Sequence, residues 1–297
     1  MTLFVNGLSH LDASLWSPER GLIGVSWHID AALHGTLGED GMLFDFGAVK
    51  PWIKAVIDDG PDHTLLIPTA AAGVTVSDCR EGLMVRTTTP YPMEIRAPRQ
   101  AYTLLPWARI DRERLAAHLS EYLTRHAPPR VDGVEITLRD EAIEAAGAYT
   151  YSHGLKHHDG NCQRIAHGHR SRLHIWCDGR RRPDLERHWS ERLDDRYLLH
   201  ADDREPDDAP NSGSHGKPNG EPIGEPETTV IRYTSRQGHF RLRLPAERCE
   251  ILPTPTTVEH IARWLAEQVA RHHAPGQRVR VQAFEGIDKG ALAEAGP

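Results

Sequence analysis

Long apolar runs are missing from this chain. No stretch approaches the roughly 18 consecutive apolar residues a membrane helix requires, so no membrane span is expected. Cysteine is scarce. Four residues (Cys79, Cys162, Cys177 and Cys249) are too few and too scattered for a disulfide framework, and they read as reduced thiols of a cytoplasmic protein. Positive charge is also not in excess. With 35 Lys and Arg against 42 Asp and Glu, the net charge of −7 argues against nucleic acid as a main partner. A local basic patch can still serve a small phosphorylated substrate. The opening residues lack a basic region followed by an apolar run, so no secretory signal is expected.

What is present suits a globular chain with a real core: 297 residues, 39% hydrophobic and 26% charged, long enough for two domains. Val49, Ile53 and Ile57, with Trp52 and Val56, have the spacing of an amphipathic helix. Ile261, Trp264, Leu265 and Val269 repeat that spacing, with Thr256 or Thr257 as cap and Glu259 in the first turn. Alternation or β-branched content predicts strands at 24–33, 82–88, 131–138, 173–176, 229–233, 240–244 and 279–284. Residues 202–227 are dense in Asp, Glu, Pro, Gly, Ser and Asn and read as a flexible surface loop.

The chain also repeats itself. Leu105-Pro106 and a helix bearing Glu113, Leu115 and Leu119 parallel Leu252-Pro253 and a helix bearing Glu259, Ile261 and Leu265. A strand, Gly35 and a helix after Asp45 likewise parallel a strand, Gly179 and a helix after Asp184. Two degenerate copies of one strand–strand–helix–strand–helix–strand unit follow, with domains at 1–145 and 146–297.

Histidine is the anomaly, with 19 residues, several of them between 153 and 174. His167 and His169 flank a glycine at the start of an alternating strand, so both rings project from one face. His153, on a neighbouring strand, completes a three-histidine set. Three neutral nitrogens with an open fourth position suit catalytic zinc. Cys162 is either a fourth ligand, closing a structural site, or a thiolate base or nucleophile whose pKa the cation lowers. His157 and His158 follow Lys156 in a polar loop and read as solvated.

The run His153…Cys162…His167-Gly168-His169 resembles the zinc and cysteine motif of the 6-pyruvoyl-tetrahydropterin synthase family, which includes the 6-carboxytetrahydropterin synthases of queuosine and deazapurine biosynthesis. Gly41-Met-Leu-Phe-Asp45-Phe46 resembles that family's entry to its first helix, and Asp62-His63 its catalytic pair. Thr257 and Glu259 resemble its pterin-binding Pro-Thr-Ser-Glu region, and Glu285, placed in the last strand, its pterin-anchoring glutamate. Family-like sequence covers most of the chain outside residues 68–100 and 200–228. Ile23-Gly24-Val25 stands opposite the His-Gly-His motif, and Asp194-Asp195 stands where the family has Asp-His, so the two copies have lost complementary parts.

The resemblance implies an α+β protein of two tandem tunnelling-fold (T-fold) domains, antiparallel sheets with helices on one face, assembling into a barrel as a homo-oligomer. It implies a Zn2+-dependent lyase acting on a pterin substrate, 7,8-dihydroneopterin triphosphate, through Cys162, Asp62 and His63. Four residues separate Cys162 from His167, between the spacings of the carboxy and pyruvoyl types, and Asp45-Phe46 favours the carboxy product. The alternatives are a 6-pyruvoyltetrahydropterin synthase and a non-catalytic zinc protein that binds pterin or purine.

Overall fold

The computed structural model describes residues 1–143, 147–205 and 227–297. In the N-terminal half, β1 (Thr2–Ser17) and β2 (Gly21–Gly35) form a long hairpin, followed by α1 (Phe46–Asp59) and β3 (Leu65–Pro68). Then come β4 (Val74–Cys79), β5 (Gly82–Thr87), β6 (Met93–Ala97), β7 (Tyr102–Leu105), α2 (Arg112–Arg125) and β8 (Val131–Asp140). The C-terminal half begins with β9 (Ala148–His153), β10 (His167–Cys177), the short β11 (Arg180–Arg181), α3 (Pro183–Leu193) and β12 (Arg196–His200). It ends with β13 (Thr228–Ser235), β14 (Gly238–Pro245), β15 (Cys249–Leu252), α4 (Val258–His272), β16 (Val279–Phe284) and β17 (Gly290–Ala295).

Each half is an α+β unit whose two helices pack on one side of its sheet. The N-terminal sheet runs β7-β3-β1-β2-β8 and the C-terminal one β15-β12-β9-β10-β16-β17, with β11 on β10. Long strands pair antiparallel, while the short β3, β7, β12 and β15 add in parallel. Val49, Ile53 and Ile57 of α1 are buried in the N-terminal core, at the expected helical spacing. Asp45 starts that helix by accepting a 2.6 Å hydrogen bond from Gly47 N. In α4, Ile261, Leu265 and Val269 enter the C-terminal core, each burial contributing about 1.5–3 kcal/mol.

Four expectations need correction. The repeat contains an extra short strand before its second helix, β7 in one half and β15 in the other. Glu285 lies in the turn after β16, and a further strand, β17, follows it. Asp184 is inside the first turn of α3, whose N-cap position is Arg182. Residues 202–205 are anchored: Asp203 is buried, Arg204 bridges Ile231, and Glu205 N donates to Val230 O at 2.8 Å. Glu227, at the other end of the expected loop, accepts from Ala246 N at 2.8 Å; residues 206–226 and the domain boundary near 146 lie outside the described residues.

Residues 74–97, outside the family-like sequence, and 228–245, almost wholly inside it, come together. They build a third sheet, β13-β14-β6-β5-β4, in which β14 of one half pairs antiparallel with β6 of the other. Its apolar face closes a second core that holds Trp16, Tyr91, Tyr197, Tyr233 and Phe240 together.

The halves also meet backbone to backbone. Ser14 pairs with Gly24 in β1–β2, and Ser152 with Gly168 in β9–β10. The two serine hydroxyls are 2.7 Å apart. A Cβ on Gly24 would lie 2.2 Å from Tyr151 O and 2.5 Å from His169 N. Only glycine permits that approach, so Gly24→Ala is expected to cost about 3 kcal/mol, the upper end for overpacking. A denaturant midpoint equal to that of the unaltered chain would contradict this packing.

Candidate functional site

His153 and His167 stand directly opposite each other in the β9–β10 ladder, and His169 follows two residues along β10. The pleat therefore turns all three rings to one face. One ring nitrogen from each lies within 4.8 Å of the others, and all three residues are buried, a group able to hold a metal ion. His153 Nδ1 sits 3.0 Å from Thr256 O, and His167 Nδ1 sits 3.1 Å from Arg164 O. A carbonyl can only accept, so both Nδ1 atoms carry the proton and both Nε2 atoms present a lone pair. Those two Nε2 atoms, and Nε2 of His169, are buried with no hydrogen-bond partner. Orphaned buried nitrogens are costly unless something binds them, and their donor set fits zinc. Burial, reinforced by the neighbouring imidazoles, drives His153 and His167 well below the ordinary histidine pKa, which keeps them neutral.

The third ring, whose Nδ1 also lacks a hydrogen-bond partner, is approached by a carboxylate of the other half. Asp12, 3% exposed on β1, places Oδ1 3.3 Å from His169 Nδ1. The same carboxylate accepts from Ser26 Oγ and from Lys289 Nζ, the latter at 3.1 Å. Burial alone would raise the Asp12 pKa, but His169, Lys289 and Ser26 outweigh it and hold the carboxyl well below the usual range.

Asp12 also anchors the Asp62-His63 pair. Its N–H donates to Asp62 Oδ1 at 2.9 Å, and its carbonyl accepts from His63 N at 2.7 Å. Asp62 Oδ2 lies 2.5 Å from His63 Nδ1, and the His63 ring is 5.4 Å from that of His167. His63 holds this pose in the left-handed region, with φ of 53°, a strain that functional positions often carry. Burial opposes protonation of His63, but Asp62 and the adjoining Cys162 prevail and raise its pKa to about 10. Thus Asp62-His63 of the N-terminal half reaches the histidine cluster of the C-terminal half of the same chain.

Cys162 is half-buried and outside the three-histidine group, within reach of His63. Its loop is fastened by Leu155 N to Cys162 O at 2.8 Å, Tyr197 Oη to Ile165 O at 2.6 Å and Tyr233 Oη to Gln163 O at 2.9 Å. Buried Arg164 ties the loop to the carbonyls of Asp62 and His63, at 3.2 and 3.4 Å. Glu285 is half-buried in the turn closed by its N–H on Lys289 O, close enough to Tyr149 and Tyr151 to raise their pKa values, although burial is the larger cause. Thr257 occupies the N-cap position of α4 beside Thr256, which contacts His153. Glu259 is exposed, its pKa held below the ordinary value by its own backbone N–H first and by Thr257 second. His157 and His158 are exposed.

Asp12, Arg164 and Lys289 were not singled out by sequence reasoning. Asp12 stands at a polar position of an ordinary alternation, Leu11-Asp12-Ala13-Ser14-Leu15, which gave no signal that it is buried.

The sequence profile described as 6-pyruvoyl tetrahydropterin synthase matches residues 142–295, more than half of the chain. The chain belongs to this family. The matched segment contains the three histidines, Cys162 and Glu285, whereas Asp12, Asp62 and His63 precede it. Among solved structures, the family's 6-pyruvoyl tetrahydropterin synthase from Plasmodium vivax is similar at 15% identity and a TM-score of 0.40, over 48% of this chain and 93% of that one. The Plasmodium falciparum enzyme is similar at 15% identity and a TM-score of 0.37, over 47% and 91%. No curated protein matches significantly. No helix among the described residues is long and apolar enough to cross a membrane.

Proposed function

We propose that this chain is a zinc-dependent lyase acting on 7,8-dihydroneopterin triphosphate, with the site composed from both halves of one chain. The observation that carries the reading is the meeting of three orphaned imidazole nitrogens with the Asp62-His63 pair and Cys162. The family supports a 6-pyruvoyltetrahydropterin synthase-like function.

His153, His167 and His169 would hold the ion, which supplies Lewis-acid polarisation of the substrate's side-chain hydroxyls when bound. Glu285 accepts hydrogen bonds from the guanidine-like edge of the pterin and fixes its orientation. Cys162, as thiolate, moves a proton at the side chain. His63, oriented by Asp62, handles the opposite proton transfer. Thr257 and Glu259 support the pterin from the start of α4. Barrel-type association between chains would cover the sheet edges at β8 and β17.

Two products separate by assay. Loss of triphosphate with release of acetaldehyde marks the 6-carboxytetrahydropterin outcome of the queuosine-type pathway, which Asp45-Phe46 favours. Triphosphate without acetaldehyde marks 6-pyruvoyltetrahydropterin. Tight pterin binding with neither product would overturn the lyase reading in favour of a binding protein. In addition, Asp12→Asn is expected to weaken zinc binding by about 10–100-fold, as outer-sphere partners of metal-bound histidine do. Unchanged affinity in a chelator-competition titration would contradict that role.

A further inference from the structure

The correspondence between halves generates a second pocket. Ser14 pairs with Gly24 and Leu65 as Ser152 pairs with Gly168 and Tyr197. Register then equates Leu15, Ile23 and Val25 with His153, His167 and His169. It equates Asp194-Asp195 with Asp62-His63, and Asp140 with Glu285. Local geometry agrees: Asp195 has φ of 57° against 53° for His63. Asp194 Oδ1 accepts from Thr150 N at 2.8 Å, as Asp62 Oδ1 accepts from Asp12 N at 2.9 Å.

The counterpart site has lost its chemistry but has not been filled. Leu15, Ile23 and Val25 offer no metal ligand, and Arg20 holds Asp195 by two hydrogen bonds of 2.9 and 2.7 Å. Yet a cavity of about 730 Å³ remains, with these apolar residues and Trp27 among its walls. Its rim carries Arg20, Arg109, Arg112 and Arg170. Arg20 and Arg112 are neutralised by Asp195 and Asp140. Arg170 donates only to the carbonyl of Glu141 among the described side-chain contacts, at 2.9 Å, and exposed Arg109 has no polar partner among the described residues. Glu19, Asp140 and Asp194 also line the cavity, but none of them pairs with Arg109 or Arg170, so these two guanidinium groups are the ones there without a carboxylate partner. Guanidinium groups free on one edge match phosphate oxygens, and an apolar wall suits a flat ring.

We propose that this second pocket is a non-catalytic binding site for an aromatic heterocycle carrying phosphate. It rests on pocket geometry and charge, not on turnover at the histidine site. The test is calorimetric titration of GTP into the metal-loaded full chain, with Arg109→Glu and Glu285→Ala as variants. Arg109 is exposed and unpartnered, so its reversal leaves the fold intact, whereas Glu285 belongs to the other pocket. The expected result is a component of GTP binding that Arg109→Glu weakens about tenfold, or 1.4 kcal/mol, and that Glu285→Ala leaves unchanged. The absence of such a component up to millimolar GTP overturns the proposal. Inorganic tripolyphosphate binding as tightly as GTP overturns the heterocycle half of it. Product formation enters neither readout, so failure here and failure of the lyase reading are distinguishable.

Discussion

Replacing His63 with alanine is expected to lower turnover of 7,8-dihydroneopterin triphosphate by about 10³-fold, inside the range for loss of a positioned acid–base group, while zinc content stays at one ion per chain. The reason is geometric. His63 is no ligand, but Asp62 fixes its ring 5.4 Å from that of His167 and beside the Cys162 thiol. Removing the ring leaves all three imidazoles of the cluster in place, with the carbonyl partners of His153 and His167. Steady-state kinetics beside metal analysis of the same preparation decides it. A variant that kept its rate within about tenfold would remove His63 from the chemistry.

Replacing His167 with alanine should have the opposite signature, with metal binding lost first and activity with it. Loss of a ligand should exceed the roughly 100-fold penalty for losing an outer-sphere partner. Metal bound only to the native state stabilises it by about 4 kcal/mol at a thousandfold excess over Kd. A chelator should therefore lower the melting temperature of the unaltered chain markedly and leave that of His167→Ala unmoved. Equal chelator responses in the two proteins would show that the buried cluster holds no ion. Complete unfolding of the native chain on metal removal would instead identify a structural site.

Much of the site could be read from the chain because it is local. The His-x-His spacing on a strand sets two rings on one face by pleat geometry alone, and β10 does place them so, with His153 across the ladder. The α1 and α4 helices followed from apolar spacing for the same reason. Tertiary partnerships were not readable. Asp12 meets His169 only because β1 of one half packs on β10 of the other. Arg164 finds the Asp62 and His63 carbonyls only after the Cys162 loop is tied down. The third sheet stayed hidden because β6 and β14, distant in sequence, complete each other's hydrogen bonding. Glu285 was misplaced by the short β17, whose small alternating residues carry little strand signal.

If one chain supplies every part of one site, mixing two variants shows it most directly. Chains carrying His63→Ala and chains carrying Cys162→Ala, each inactive alone, are co-expressed, purified together and assayed. A site closed within the chain predicts no activity above the sum of the two parents, since each chain still lacks one group. Recovery of a substantial fraction of native activity would mean that Asp62-His63 serves the histidine cluster of a neighbouring chain, and would contradict this account.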